Sequence, residues 1–225
     1  MILKLAQETR VTVDDRIPLL QAIRRALMAL ARRGDGSVPR LFSGHEIDGA
    51  PAHSGSHEHI FLAAADFDSH GFIDRVIVAA PWRCDRSVQP GRGDPALFDS
   101  VVSSLELVRA GRLGVITLSV DMDGADDPRF AGPVKVWQTH TCYRATRPAR
   151  QGDDPVDGLR RDAVIECWRR GLPTPDVEVL DYINEPDGRI AAHLLLHFAV
   201  GVAGPLVLGR DSHQGGGLFL AKADG

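Results

Sequence analysis

In the first half of the chain, the spacing of apolar residues alternates between the strand period and the helical period. Short apolar or β-branched runs predict strands, and apolar residues at three- and four-residue steps predict amphipathic helices. In chain order the predicted elements are a strand at 1–6, a helix from Asp14 or Asp15 to Gly34, strands at 59–62 and 76–80, a helix at 95–110 and a strand at 113–120. This β-α-β-β-α-β order is that of the ferredoxin-like unit.

The second half follows the same order with one departure. An acidic, turn-rich segment at 121–128 suggests a linker. After it the pattern predicts a strand at 134–144, a helix at 156–170 and strands at 177–183, 191–202 and 218–221. A glycine-rich loop at 204–217 occupies the position of the second helix. The sequence therefore predicts an α+β protein of two tandem ferredoxin-like (RRM-like) units, 1–124 and 125–225, with a C-terminal glycine-rich loop.

Composition places the chain among ordinary globular proteins. Its 225 residues are 44% hydrophobic and 25% charged, and no apolar run reaches the ~18 residues of a membrane span. Three cysteines without a CxxC pair, and no signal-peptide pattern, indicate a reduced, cytoplasmic protein that does not bind membranes. The net charge of −4 argues against broad, nonspecific nucleic-acid binding but leaves room for a local basic groove.

Five of the nine histidines lie between His45 and His70. Imidazole exchanges protons near neutral pH and also binds metals. His57 and His59 are two residues apart at the start of a predicted strand, so they share one face. Three interpretations stay open from the residues alone: a zinc site with His45 or Asp66 as third ligand, a general acid and base, or a solvated segment.

Other polar motifs have simpler structural interpretations. The segment 66–74 imitates the start of a calcium loop, but Ile77 stands where the bidentate Glu would be, so a β-turn with Gly71 is favoured. Gly215, Gly216 and Gly217 allow close backbone approach, either to a ligand or within a tight bulge. The three cysteines have no activating context in the sequence, and the three tryptophans are expected to pack in the core or at strand edges.

Two separated motifs resemble a known family. The first is SGH-x2-DG-x-P, continued by H-x-H-x-F-L, D-x-D, G-x-ID and AP; the second is GP-x2-LG-x2-SH with the glycines and LF after it. Together they resemble the RAMP-superfamily protein of type I-U (also called I-G) CRISPR systems. That family joins a capping subunit of the crRNA-guided complex to a repeat-RNA processing endoribonuclease, and this chain resembles the processing half, from the first helix to Phe219.

The resemblance implies an enzyme that cleaves CRISPR repeat RNA to mature crRNA. In this chemistry the 2′-hydroxyl attacks the adjacent phosphodiester without metal or other cofactor and leaves a 2′,3′-cyclic phosphate. The implied catalytic residues are His57 and His59, supported by His45. The implied RNA-binding residues are Arg24, Arg210, His213, Gly215, Gly216 and Gly217.

At two positions this chain departs from the family pattern, which affects how far the family's residue roles apply to it. Arg75 stands where the family usually has His, and Gln214 follows His213 where the family has an aromatic residue. An alternative function is therefore a non-catalytic crRNA-binding subunit of a type I CRISPR surveillance complex. In either case the expected partners are the repeat RNA or crRNA, and other subunits of such a complex.

Overall fold

A computed structural model describes residues 1–6, 8–45, 58–124, 127–148, 152 and 154–222. The chain forms two compact units. The first unit comprises Met1–Arg83 and Val88–Met122, and the second comprises Cys84–Ser87 and Asp123–Gly225. The domain boundary between residues 124 and 125 stays a prediction from the sequence.

The first unit is an antiparallel sheet with helices packed against it. Its elements are β1 (Ile2–Leu5), α1 (Arg16–Leu30), α2 (Arg40–Ser43), β2 (Phe61–Ala65), β3 (Arg75–Ala79), α3 (Pro81–Cys84, whose last residue joins the second unit), α4 (Asp94–Ser103), β4 (Leu107–Arg109) and β5 (Val115–Val120). The strand order is β2-β3-β1-β5-β4, with every neighbouring pair antiparallel. Without the edge strand β4, this is the ferredoxin-like order, which confirms the predicted class.

The core of the first unit follows the predicted apolar stripe. Leu20, Ile23 and Leu27 of α1 are buried in one cluster with Leu3 of β1. Leu3 lies opposite Val76 on one side and Val120 on the other, so β1 is the central strand. Burial of these apolar side chains is the main stabilising contribution to the unit.

Two helix ends in the first unit were predicted too late in the chain. The first helix ends at Leu30 rather than at Gly34. The second ends at Ser103 rather than at 110, and Leu107–Arg109 instead pairs with Val115–Thr117 as a hairpin. Gly111 and Gly114 take φ of 60° and 78° in the connection, a region that favours glycine.

The second unit has the same sheet order. Its elements are α5 (Pro128–Ala131), β6 (Val134–Thr139), β7 (Tyr143–Arg144), α6 (Pro155–Arg169), β8 (Asp176–Asn184), β9 (Ile190–Val202), β10 (Leu206–Val207) and β11 (Leu218–Ala221). Strands run in the order β10-β11-β6-β9, and both β7 and β8 pair with β9. Residues 203–217, all described by the structure, contain β10 and turns rather than a helix, as the sequence predicted.

Helix α6 begins where its residues satisfy the free backbone groups. The Asp154 carboxylate accepts the N–H groups of Val156 and Asp157, and Pro155 occupies the first helical position. Leu159, Ala163 and Cys167 then pack into the core of the second unit. Among the helices of the described residues, none is long and apolar enough to cross a membrane.

Candidate functional site

His45 follows a short helix whose end is tightly fixed. Helix α2 ends at Ser43 and is capped by Gly44, which has a φ of 72° and donates its N–H to the Arg40 carbonyl at 2.9 Å. The Ser43 hydroxyl accepts the His45 N–H at 3.1 Å and donates to the His45 carbonyl at 3.2 Å. These bonds fix the backbone of His45, which is exposed.

Arg24 of α1 supports the same helix end. Its Nη2 donates to the Ser43 carbonyl at 3.1 Å. A cation at a helix C-terminus satisfies carbonyl groups that have no partner within the helix. Partial burial lowers the pKa of Arg24 from its usual value, but the group stays charged at neutral pH. Arg24, one of the residues predicted to bind RNA, is thus hydrogen-bonded to the residue two positions before His45.

His59 is brought to the same place from the start of β2. Its ring lies against Gly44, with Cγ and Nδ1 both 3.1 Å from the point that a β carbon on Gly44 would occupy. The Ile60 N–H donates to the Leu41 carbonyl at 2.8 Å, which holds this segment against α2. The structure therefore brings His59 next to the residue that precedes His45. His57, the third predicted catalytic residue, lies outside the described residues.

His45 and His59 are the described residues that the sequence predicts to transfer protons. Neutral imidazole accepts a proton and imidazolium donates one, so two imidazoles near one bond can serve as base and acid. The zinc interpretation that combines His59 with Asp66 is wrong on geometry. The strand Phe61–Ala65 lies between the two residues, and at ~3.3 Å per residue its ends are already about 13 Å apart, too far for ligands of one ion.

The segment 66–74 is a β-turn, as the sequence favoured. The Asp66 carboxylate accepts the N–H groups of His70 and Gly71, and Gly71 has a φ of 86°. The Asp74 carboxylate accepts the N–H groups of Phe67 and Asp68, while burial raises its pKa. Ligand atoms of Asp66, His70 and Asp74 lie within 4.8 Å of one another, but these carboxylates already accept hydrogen bonds that shape the turn.

A cavity of about 430 Å³ lies beside this turn and was not predicted from the sequence. Its wall includes Lys4, Arg10 and Arg75, with the Arg10 guanidinium 5.4 Å from the centre of the Phe72 ring. Arg75, the departure from the family pattern, bonds through Nε to Asp121 at 2.6 Å. It therefore ties β3 to the residue after β5, a structural role within the first unit.

The glycine-rich loop of the second unit is closely packed. A β carbon on Gly217 would lie 1.7 Å from the Leu208 carbonyl oxygen, and one on Gly216 would lie 2.9 Å from the Asp211 β carbon. Gly215 and Gly217 have φ of 100° and 65°. Close packing and positive φ explain these glycines without a ligand. Whether they also contact RNA stays a prediction.

The polar residues of this loop are bound to neighbours in the second unit. Arg210 is exposed and forms an ion pair with Asp187 at 3.0 Å, while His213 is half-buried. Ser212 is buried and accepts a hydrogen bond from Arg170 at 3.2 Å. Arg170 itself is paired with Glu166 at 2.8 Å. The sequence shows which residue types are present but does not predict this buried connection between the loop and α6.

One other interpretation from the sequence was wrong. Trp168, expected to pack, is 72% exposed on α6, whereas Trp137 is fully buried as expected. Cys142 lies 3.2 Å from Nε2 of His193, a neighbour that the sequence does not indicate. Cys84 and Cys167 are buried, and burial raises the pKa of Cys167 to about 12.

No protein-family model and no curated protein matches this chain. Among solved structures, one described as "Csf5, CRISPR-Cas type IV Cas6 crRNA endonuclease" is similar to it, with 15% sequence identity and a TM-score of 0.44. The alignment covers 98% of this chain and 97% of that chain.

Proposed function

We propose that this protein is a metal-independent endoribonuclease that cleaves CRISPR repeat RNA to mature crRNA. The observation that carries the proposal is the packing of the His59 ring against Gly44, the residue before His45. His45 and His59, 14 residues apart in the sequence, thereby belong to neighbouring segments of the first unit. The motif resemblance to the processing half of the type I-U protein supplies the substrate class.

The proposed reaction needs three contributions from the protein. A base removes the proton of the 2′-hydroxyl, an acid protonates the leaving 5′-oxygen, and donors stabilise the charge that develops on the phosphorus oxygens. His45, His57 and His59 are the proposed acid–base residues. The products are a 2′,3′-cyclic phosphate and a 5′-hydroxyl.

RNA binding is proposed for cations and backbone groups in both units. Arg24 is bonded to the Ser43 carbonyl and supports the histidine segment. Arg210, His213, Gly215, Gly216 and Gly217 are the proposed contacts from the glycine-rich loop. Since Arg210 is paired with Asp187 on the surface, RNA has to compete with an exposed carboxylate whose contribution to stability is small.

The test is cleavage of the cognate CRISPR repeat RNA in excess EDTA. We expect cleavage with a 2′,3′-cyclic phosphate on one product, and none when the nucleotide before the scissile bond is 2′-deoxy. Single His45→Ala, His57→Ala and His59→Ala variants separate the histidines, and general acid or base catalysis is worth about 10²–10⁴-fold. Cleavage that requires added zinc contradicts the mechanism.

His70→Ala is the matched control, because His70 belongs to the same histidine-rich window but lies in the turn beyond β2. It should cleave at the wild-type rate. Tight repeat binding with no product under any condition, unchanged in His57→Ala, instead supports the alternative of a non-catalytic crRNA-binding subunit.

A further inference from the structure

The second unit contains a cysteine whose side chain contacts a histidine, and neither residue belongs to the proposed nuclease site, although the Cys142 carbonyl accepts the Gly217 N–H at 3.0 Å. Cys142 lies in the short connection between β6 and β7, and His193 lies within β9. Sγ of Cys142 is 3.2 Å from Nε2 of His193. Nδ1 on the other side of the ring is 3.2 Å from the Thr139 hydroxyl. The imidazole is therefore held at both nitrogens.

The third group of this set is itself fixed. The Thr139 hydroxyl accepts the Leu194 N–H at 2.9 Å and lies 3.4 Å from the Leu194 carbonyl. A hydroxyl accepts two hydrogen bonds and donates one, so it can take the Nδ1–H of His193 as well. With that proton on Nδ1, Nε2 is free to accept the proton of the thiol. A nucleophile, a base and a group that orients the base are thus in line.

The charged groups around the pair are mixed in sign. The Asp181 carboxylate on β8 accepts the backbone N–H of His193 at 3.3 Å, and Arg144 on β7 is two residues from Cys142 along the chain. The pKa of Arg144 is raised, first by its hydrogen bond to Asp211 and to a smaller extent by Glu185 and Cys142. Arg144 is paired with Asp211 at 2.7 Å and with Glu185 at 2.8 Å.

We propose that Cys142 is a reactive cysteine that peroxides oxidise selectively. His193 takes the thiol proton, and the sulfur attacks one oxygen of the peroxide. The S–O bond forms as the O–O bond breaks, so sulfur loses two electrons and the peroxide gains them. The leaving hydroxide takes the proton from His193 and departs as water, which leaves sulfenic acid on Cys142. Cys142 is half-buried, which leaves access for a small oxidant.

Cys84 and Cys167 provide controls within the same molecule. Both are buried, at 3% and 0% exposure. Full-length protein is treated with hydrogen peroxide at neutral pH in the presence of dimedone, which traps sulfenic acid, and each cysteine peptide is quantified by mass spectrometry. We expect Cys142 to be labelled at least about tenfold faster than either buried cysteine.

His193→Gln is the decisive variant, because glutamine keeps hydrogen-bonding groups but cannot take the thiol proton. We expect it to slow the labelling of Cys142 about tenfold, since an unassisted thiol is only a few per cent ionised at neutral pH. His197→Gln is the matched control, because His197 is four residues along β9 and on the same face. It should label at the wild-type rate.

Equal labelling of Cys142 in the wild type and in His193→Gln overturns the proposal. If circular dichroism shows that His193→Gln does not fold, the wild-type protein provides the answer. Its Cys142 should react with iodoacetamide at neutral pH faster than free cysteine does in the same solution. A slower reaction contradicts activation by His193.

Discussion

The imidazole of His59 lies against Gly44, so close that Cγ and Nδ1 are 3.1 Å from where a β carbon on Gly44 would stand. Gly44 also has a φ of 72°, in the region that favours glycine. One residue therefore meets two requirements at once. It ends α2 in the left-handed conformation, and it leaves room for the ring beside His45.

Replacing Gly44 with Ala tests this relationship. A non-glycine residue at positive φ costs roughly 1–2 kcal/mol, and the new methyl group has to displace the His59 ring by a few tenths of an ångström. Because misplacing a catalytic group can cost up to about 10²-fold, we expect repeat-RNA cleavage by Gly44→Ala to fall at least about tenfold. The measurement is the single-turnover cleavage rate.

Gly36→Ala is the control for backbone strain. Gly36 has a φ of 84°, but a β carbon there meets no atom within 4 Å. It should lose a similar amount of stability in urea unfolding and keep the wild-type cleavage rate. Equal loss of cleavage in both variants would show that strain alone, rather than the position of His59, explains the effect.

The sequence predicted the order of strands and helices because local patterns carry that information. Asp154 and Pro155 mark the start of α6, and the apolar stripe from Leu20 to Leu27 marks α1. The hairpin at 107–117 was missed because Leu105 and Val108 continue the helical spacing of α4. The competing interaction is tertiary: Leu118 donates its N–H to the Glu106 carbonyl at 2.8 Å, and β4 pairs with β5.

The candidate sites depend still more on long-range packing. The histidine-rich window drew attention to His45 and His59, but only the packing of α2 against the start of β2 places the His59 ring against Gly44. Cys142 and His193 are 51 residues apart. Their contact depends on how β6 and β7 align with β9, which periodicity alone does not specify. Sequence reasoning therefore identified the residue types but not the neighbours that change their chemistry.

Gly217 should be essential for the fold of the second unit. A β carbon there would lie 1.7 Å from the Leu208 carbonyl oxygen, a backbone atom that cannot rotate away. We expect Gly217→Ala to lower the free energy of unfolding by about 2–4 kcal/mol, from positive φ and overpacking together. Urea unfolding measures this loss.

Gly188→Ala separates the cost of positive φ from the cost of overpacking. Gly188 has a φ of 76° in the β8–β9 turn, but no atom lies within 4 Å of its β-carbon position. Its loss should stay near the 1–2 kcal/mol of positive φ alone. If Gly217→Ala is no worse than Gly188→Ala, the loop does not depend on the close approach, and the glycines need another explanation.

The Arg170–Glu166 pair should be strongly coupled. Arg170 is fully buried and bonds to Glu166 at 2.8 Å and to Ser212 at 3.2 Å. Arg170→Met leaves the Glu166 carboxylate buried without its cation, which typically costs about 3–5 kcal/mol. Adding Glu166→Leu removes the uncompensated charge, so the double variant should recover much of that loss in urea unfolding. A double variant that is less stable than Arg170→Met contradicts this account.

Stability at alkaline pH should depend on Cys167. Burial, and to a smaller extent the charge of Glu166, raises the pKa of this thiol to about 12, whereas an unfolded cysteine ionises near about 8.5. Between those values the folded state keeps a proton that the unfolded state loses, so the free energy of unfolding falls as pH rises, by up to about 1.4 kcal/mol per pH unit.

Cys167→Ala removes this contribution, while Tyr143 and all other groups that titrate at high pH remain in both proteins. The expected result in urea unfolding is that the wild type loses about 1.2 kcal/mol more than Cys167→Ala between pH 9 and pH 10. Parallel loss in the two proteins would mean that the thiol ionises as readily in the folded chain as in the unfolded one.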